Sequence, residues 1–181
     1  GKIMPVQKFL ATPTMSMPGS IFTQTIAGDW PADDANFEND KADQDILLEP
    51  DFSTLSVVPW EQDPTAQLIH DAYHNDGRPL EIAPRQVLRR IVELYSNRGW
   101  RPVVAPEIEF YLVKPNKDPD YPLEPPSGRS GRPESARQSY SIAAVNEFDD
   151  LFDDIYKFSE AQELEIDTLI HEEGGPQMEI N

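Results

Sequence analysis

The sequence predicts an α+β fold, in which a small sheet-rich unit is followed by helices packed over a second sheet. Three observations indicate this fold. Residues 1–26 are short apolar segments broken by prolines, and residues up to about 82 add short strand-like segments and turn signals. Residues 87–95 carry apolar side chains at a spacing of three and four, which is typical of a helix. Residues 101–113 and 176–181 have the β-branched, aromatic or alternating character of strands.

The N-terminal unit is expected to contain short strands and one acidic loop. Residues 20–26 alternate weakly and predict a strand, whereas residues 28–45 are acidic with almost no aliphatic side chains and predict a loop. Residues 46–80 contain two or three further strand-like segments. Within them, Asn75-Asp76-Gly77 predicts a turn because glycine tolerates a positive φ. We expect this unit to end near residue 82.

The C-terminal part alternates helix and strand. A helix is expected to begin at Pro84 and to stop before Gly99, with its apolar stripe packed against the rest of the protein. The other predicted elements, in chain order, are a buried strand (101–113), a long exposed loop (114–139), a helix (146–162) and two strands (164–170 and 176–181). Helix followed by strand occurs twice, which indicates helices over one side of a sheet.

Composition excludes several classes of function. The chain has 15 Lys and Arg against 33 Asp and Glu, a net charge of -18, which repels nucleic acid and anionic membranes. The absence of cysteine excludes disulfides and thiolate zinc sites. The sequence has no run of about 20 apolar residues and no signal-peptide pattern at its start. We therefore expect a cytoplasmic protein with no nucleic-acid or membrane partner. The excess of carboxylates fits either cation binding or plain solubility.

Glutamates in the C-terminal strands are candidate metal ligands. Strand alternation puts Glu107 and Glu109 on one side, about 7 Å apart, where two charges repel by about 2 kcal/mol at an effective dielectric constant near 20. The same alternation places Gln177 with Glu179, and Glu172 lies in the preceding loop. If the two strands are neighbours, these acids converge and suit Mg²⁺ or Mn²⁺. The alternative is a solvated sheet face, on which glutamates are ordinary.

Two segments, PEIEFYL (106–112) and HEEGGPQMEIN (171–181), resemble the glutamine synthetase family, in which such motifs carry metal ligands. Further segments with family likeness are GKIMPVQKF, DILLEPDFSTLSVVPW and PRQVLRRIVELYSNRGW. The resemblance implies a β-grasp-like N-terminal domain over residues 1–82 and the first part of an antiparallel-sheet catalytic domain over residues 83–181. It also implies that both domains are incomplete here.

The resemblance implies a ligase that joins the γ-carboxylate of glutamate to ammonia or an organic amine. ATP is the co-substrate, γ-glutamyl phosphate is the intermediate, Mg²⁺ or Mn²⁺ is the cofactor, and the full-length protein is expected to be a homo-oligomer. Glu109, Glu172 and Glu179 would hold the ion nearer glutamate, and Glu107 would help to hold the ion nearer the nucleotide phosphates. The wording of AVNEFDDLFDDIY and IDTLIHEEGGPQMEIN favours the branch that glutamylates amines such as polyamines.

Some parts of the family pattern have no match in this sequence. A His-bearing metal motif and substrate-binding arginines are expected beyond residue 181, so we expect the 181-residue chain alone to be inactive. Asp29 is the nearest candidate for the family's amine-binding aspartate. Two other function classes stay open: a non-catalytic scaffold derived from such an enzyme, and an acidic cation buffer with many weak sites.

Weaker candidates each have an ordinary structural alternative. His70 and His74 have a spacing that zinc can use, but a hairpin edge explains them equally well. His171 precedes Glu172 and either orients it or is simply a residue of the sheet. The arginines of the 114–139 loop, Arg129, Arg132 and Arg137, are phosphate-binding candidates or part of a solvated linker.

Overall fold

The structure, a computed structural model, describes residues 1–29, 43–118 and 120–181. Helices are α1 (Val6–Ala11), α2 (Pro84–Ser96), α3 (Ile142–Asn146) and α4 (Asp149–Ala161), with one 3₁₀ turn (Gly19–Phe22). Strands are β1 (Met15–Pro18), β2 (Asp45–Val57), β3 (Ala66–Tyr73), β4 (Ile108–Tyr111), β5 (Leu169–His171) and β6 (Gln177–Ile180). The mixed helix and sheet content confirms the predicted α+β class.

The chain divides into two compact units. The first comprises Gly1–Ser56 and Ala66–Pro102, and the second comprises Val57–Thr65 and Val103–Asn181. The predicted domain boundary between residues 82 and 83 stays a prediction. None of the helices in the described ranges has the length and apolar character that crossing a bilayer requires. That finding does not test the predicted cytoplasmic location.

The first unit is built on a three-stranded sheet in the order β1-β2-β3. Strand β1 runs antiparallel to β2, with Met15 opposite Leu48 and Pro18 opposite Asp45. The predicted turn after β3 is confirmed, because Gly77 has a φ of 84° and the His74 amide donates to the Arg78 carbonyl at 2.8 Å. The unit's core consists of Ile46, Ala72, Leu80 and Ala83, with Met17, Phe22 and Leu48 packed against it.

An ionic network of four residues joins β2, β3 and α2; we call it the Asp71 network. Arg85 donates to Asp71 at 2.9 Å and also to Asp51, and Arg89 donates to Asp71 at 2.5 Å. The Asp71 side chain is only 7% exposed, whereas Arg89 is half exposed. A hydrogen bond from Ser53, aided by the charges of Arg85 and Arg89, lowers the pKa of Asp51 below its ordinary 3.8. The stabilisation that the Asp51 carboxylate contributes is therefore fully present above pH 3.8 and is lost as the pH falls through the lowered pKa.

One prediction for the N-terminal segment is wrong. The first strand lies at Met15–Pro18 and not at residues 20–26, which instead begin within the 3₁₀ turn. Pro18 ends the pairing, since proline has no amide hydrogen to extend the ladder. The segment of short apolar pieces also contains a helix, α1, which begins directly after Pro5, where proline is compatible with a helix start. Most of the predicted acidic loop, residues 28–45, lies outside the described residues.

Helix α2 confirms the predicted helix but not its burial. Pro84 occupies the first turn, and Gly99 follows the helix with a φ of 72°. The apolar stripe remains largely exposed: Leu88 is 62% exposed and Ile91 is 46% exposed. Along this helix only Gln86 is buried. Spacing predicts that a helix has an apolar face, but what covers that face is decided elsewhere in the fold.

The second unit contains a three-stranded antiparallel sheet in the order β4-β6-β5, beside helices α3 and α4. The helix predicted over 146–162 corresponds to α4 (Asp149–Ala161), and the short helix α3 (Ile142–Asn146), which the sequence does not predict, precedes it. Phe148 leaves the helical conformation, with a φ of -123° and a ψ of 29°, and separates them. Ser141 caps α3 by accepting from the Ala144 amide at 3.3 Å. Phe152 of α4 is buried, as its apolar face predicts.

The predicted strands of the second unit are shorter than expected. The 101–113 segment was expected to be a buried strand, but pairing is confined to Ile108–Tyr111, and Val103 is 91% exposed. Strand β4 has β6 on one side, and no other described strand pairs with its second edge. β-branched residues express a preference for extended backbone, whereas burial depends on neighbouring elements. The 164–170 candidate narrows to β5, and β6 is confirmed.

Candidate functional site

The register of the second sheet places two predicted ligands opposite each other. Glu109 of β4 pairs with Glu179 of β6. Directly opposed residues of an antiparallel pair lie on the same face, with Cβ atoms about 4.5–5.5 Å apart. Two like charges so placed are unfavourable unless a proton or a cation lies between them. Glu109 and Glu179, which are seventy positions apart in the chain, therefore form an acidic pair on one face of the sheet.

The two faces of this sheet differ sharply in chemistry. Ile170 is opposite Glu179 and shares the acidic face, together with Tyr111 opposite Gln177. On the other face, His171 pairs with Met178, and both side chains are fully buried. Glu179 thus directly follows buried Met178, and Glu172 directly follows buried His171.

Glu179 is the most perturbed carboxylate of this face. It is 7% exposed, and burial raises its pKa above the ordinary 4.5. A hydrogen bond with Glu172 and the charges of Glu107 and Glu172 raise the pKa further, whereas a bond with Asn181 opposes the shift. The structure thus brings Glu107, which precedes β4, and Glu172, which follows β5, within electrostatic reach of Glu179.

Gln177 organises the residues around Glu109. Its Nε2 donates to Glu109 Oε2 at 2.7 Å, and its Oε1 accepts from the Tyr111 hydroxyl at 3.0 Å and from the Gly174 amide at 2.9 Å. The amide group of Gln177 therefore has partners at both ends, which holds the Glu109 carboxylate in a set direction.

The Gly174-Gly175-Pro176 turn lets the chain fold closely over this site. The Glu172 amide donates to the Gln177 carbonyl at 2.9 Å and closes the turn between β5 and β6. A Cβ on Gly174 would lie 2.5 Å from the Tyr111 hydroxyl oxygen and 2.7 Å from Gln177 Oε1. Glycine is required there by close approach, and the turn sets Glu172 beside Glu179.

Gly174→Ala is expected to lower the free energy of unfolding by about 1–3 kcal/mol, because the new methyl group displaces Tyr111 and Gln177. Urea denaturation measures the change. Combining it with Tyr111→Phe removes the nearest atom and should recover part of the loss. A change below about 0.5 kcal/mol for the single variant would show that the turn relaxes freely.

The donor set fits a hard divalent cation in its chemistry. Carboxylate oxygens are the ligands that Mg²⁺ and Mn²⁺ prefer, and a buried carboxylate beside two others requires a neutralising charge. Within residues 1–29, 43–118 and 120–181, no three Asp, Glu or His side chains converge as metal ligands do. Glu107, Glu109, Glu172 and Glu179 lie on or directly beside strands β4, β5 and β6, and their role as metal ligands stays a prediction.

One buried pair of this unit was not recognised from the sequence. His171 Nε2 lies 3.3 Å from Glu134 Oε1, and both side chains are buried. The surrounding Pro, Gly, Ser and charged residues predict an exposed loop at Glu134. A glutamate in such a segment carries no local signal of burial; only the folding of the loop onto β5 creates it.

The weaker candidates have ordinary structural partners. His74 lies 3.0 Å from Glu81 and His70 lies 3.4 Å from the Pro13 carbonyl, so each ring has its own contact. Arg129 pairs with Asp149 at 2.6 Å. Asp29 closes a turn, its carbonyl accepting from the Thr25 amide at 2.8 Å. Its predicted role in amine binding stays untested.

The chain is thus an α+β protein in which Glu109 and Glu179 lie opposite each other on one face of an antiparallel sheet. Residues 81–181 match the family model described as "Glutamine synthetase, catalytic domain". This chain is a member of the glutamine synthetase family. The match covers more than half of the chain and includes all four predicted ligands.

Individual relatives agree with this assignment. The chain is 34% identical over 138 residues to a glutamate–isopropylamine ligase of Pseudomonas sp, covering 76% of this chain and 29% of that protein. It is 30% identical over 166 residues to the gamma-glutamylputrescine synthetase PuuA of Escherichia coli (strain K12), covering 91% of this chain and 35% of that protein. The chain thus spans about a third of the length of these relatives, which are named as ligases.

Solved structures agree in fold. A crystal structure described as a novel glutamine synthase homolog superposes with a TM-score of 0.66 at 18% identity, covering 97% of this chain and 37% of that one. At that identity the likeness supports the fold alone. It confirms the predicted fold class over nearly all of the chain.

Proposed function

We propose that the protein containing this chain is an ATP-dependent ligase that joins the γ-carboxylate of glutamate to ammonia or an amine through γ-glutamyl phosphate. The observation that carries the proposal is the pairing of Glu109 with buried Glu179, within the segment that matches the family's catalytic domain. Amines are favoured as acceptors because two relatives are named for isopropylamine and putrescine products.

The proposed roles of the four glutamates are those that the family resemblance implies. Glu109, Glu172 and Glu179 hold a divalent cation near the glutamate substrate, and Glu107 contributes to a second position nearer the nucleotide phosphates. When bound, Mg²⁺ or Mn²⁺ neutralises the negative charge that develops as the phosphoryl group is transferred. Gln177 fixes the direction of Glu109 by its 2.7 Å hydrogen bond, so that this carboxylate is oriented before the cation binds.

The activity test uses the full-length natural protein with ATP, Mg²⁺ and glutamate. Release of ADP should depend on an added acceptor, and a panel of ammonia, isopropylamine and putrescine identifies the class. The same assay on residues 1–181 alone tests the expectation that this chain is inactive by itself. A rate of ADP release that is the same with and without glutamate, and with and without every acceptor, would contradict the ligase proposal. Size-exclusion chromatography with light scattering tests the proposed homo-oligomer.

Cation binding should stabilise the fold more at about pH 7.5 than at about pH 5. The raised pKa of Glu179 means that the folded chain keeps a proton that the unfolded chain releases. The contribution of protonated Glu179 to the free energy of unfolding is therefore full below pH 4.5 and declines as the pH rises through the raised pKa. A divalent cation replaces the proton and reverses that decline.

The measurement is the shift in unfolding midpoint on adding Mn²⁺ at the two pH values, with Na⁺ at equal ionic strength as the control. A Mn²⁺ shift that is equal at both pH values, or matched by Na⁺, would indicate general screening and not a site.

A non-catalytic scaffold derived from the same family is the second candidate. One observation favours it: within the part of the chain that the structure describes, the carboxylates do not converge on a common point. Calorimetric titration separates the two functions. A ligase should bind Mn²⁺ and ATP with saturable heat, a scaffold should show none, and an acidic cation buffer should show many weak equivalent sites.

A further inference from the structure

The buried pair formed by Glu134 and His171 has no role in the function proposed above. His171 is fully buried and Glu134 is 6% exposed. Burying two ionisable side chains stabilises a fold less well than burying apolar residues of the same size. Packing alone therefore does not explain this pair. Its histidine, His171, directly precedes the predicted ligand Glu172.

The hydrogen bonds of His171 connect Glu134 to the backbone of Glu172. His171 Nδ1 lies 2.7 Å from the Glu172 carbonyl oxygen. A carbonyl can only accept, so Nδ1 carries a hydrogen and donates it. On the other side of the ring, Nε2 lies 3.3 Å from Glu134 Oε1, which also accepts from Gln138 Nε2 at 2.9 Å. Glu134 thereby contacts the ring on the side opposite the Glu172 carbonyl and fixes the orientation of the ring.

The segment from Glu134 to Tyr140 contacts strand β5 and the turn between β5 and β6. The Glu134 amide donates to the Pro126 carbonyl at 2.9 Å, and the Tyr140 amide donates to the His171 carbonyl at 2.8 Å. A Cβ on Gly175 would lie 3.1 Å from the Ser135 backbone, so the segment and the turn are in close contact. Glu134 therefore acts from a fixed position.

We infer that Glu134 is a positioning residue, which acts through His171 to hold the backbone of Glu172 so that its carboxylate faces Glu179 and a bound divalent cation. This inference rests on the proposed metal role of Glu172. Outer-shell partners of this kind typically change metal affinity by about 10–100-fold when they are removed.

The test compares two nearly isosteric variants in the full-length protein. Glu134→Gln keeps a hydrogen-bonding group next to Nε2, whereas Glu134→Met fills the same space without one. Mn²⁺ affinity is measured by electron paramagnetic resonance. We expect Glu134→Met to weaken Mn²⁺ binding about 10-fold, and Glu134→Gln to restore it to near the wild-type value. Glu124→Gln is the matched control, because Glu124 lies in the same loop and its exposed carboxylate pairs with exposed Lys114.

The outcomes separate the positioning role from a structural one and from the metal role itself. Equal Mn²⁺ affinity in wild type and Glu134→Met overturns the inference but leaves the proposed function intact. If Glu134→Gln and Glu134→Met weaken Mn²⁺ binding equally, the charge of Glu134 and not its hydrogen bond is responsible, and the inference is overturned. Absence of saturable Mn²⁺ binding in the wild type overturns the metal role together with the inference.

A measurement on the wild type needs no variant and covers the case in which Glu134→Met does not fold. The ¹⁵N shifts of His171 should show Nδ1 protonated, as the bond to the Glu172 carbonyl requires. A His171 ring with Nδ1 unprotonated would overturn the inference, since no link to Glu172 would then exist.

Discussion

Glu179→Gln is expected to abolish amine-dependent ADP release while stabilising the cation-free fold at neutral pH. Loss of one carboxylate from the cation removes several kcal/mol of transition-state stabilisation, which is a decrease in kcat of about 10³-fold or more. The opposite effect on stability follows from the raised pKa of Glu179. An amide fills the same volume without the charge that burial and the neighbouring glutamates disfavour.

Activity is measured as ADP release, and stability as the midpoint of thermal unfolding with a chelator present. Glu109→Ala should lose activity to a similar degree, because Glu109 lies opposite Glu179 in the register. Glu124→Gln again serves as the control and should change neither quantity. Unchanged turnover in both Glu179→Gln and Glu109→Ala would rule out their metal role. A less stable cation-free Glu179→Gln would show that the carboxylates do not repel one another as inferred.

Asp71→Ala is expected to lower the free energy of unfolding by about 3 kcal/mol, the largest stability effect we foresee for the first unit. Removing one member of a buried ionic group leaves the other charges without a partner, which costs about 3–5 kcal/mol. Arg85 is one-third exposed and Arg89 is half exposed. Water can therefore solvate both guanidinium groups in part, which places the expected loss at the lower end.

Urea denaturation at neutral pH measures this loss, with Asp154→Ala as the matched control. Asp154 makes an ion pair with Lys157 at 3.4 Å on an exposed helix face. Its removal should cost less than about 0.5 kcal/mol. If both variants lose the same amount of stability, the Asp71 network is an ordinary surface network and does not hold α2 against β2 and β3.

Local patterns predicted the elements that depend on neighbouring residues. The apolar spacing after Pro84 predicted α2, and the Asn75-Asp76-Gly77 signal predicted the turn closed by Gly77. Burial was predicted less well. The 101–113 segment has the composition of an interior strand, yet Val103 is 91% exposed. Composition reports which backbone conformation a segment prefers, whereas burial requires a partner surface that the segment does not encode.

The candidate site shows the same division. Alternation within each strand determined from sequence that Glu107 and Glu109 share one face and that Gln177 and Glu179 share another. Only the tertiary structure decided that Glu109 and Glu179 are opposite each other, and that Glu134 is buried against His171. Strand periodicity arises from backbone geometry between adjacent residues and is visible in any short window. Register between strands seventy residues apart depends on how whole faces pack, so it is absent from every local pattern.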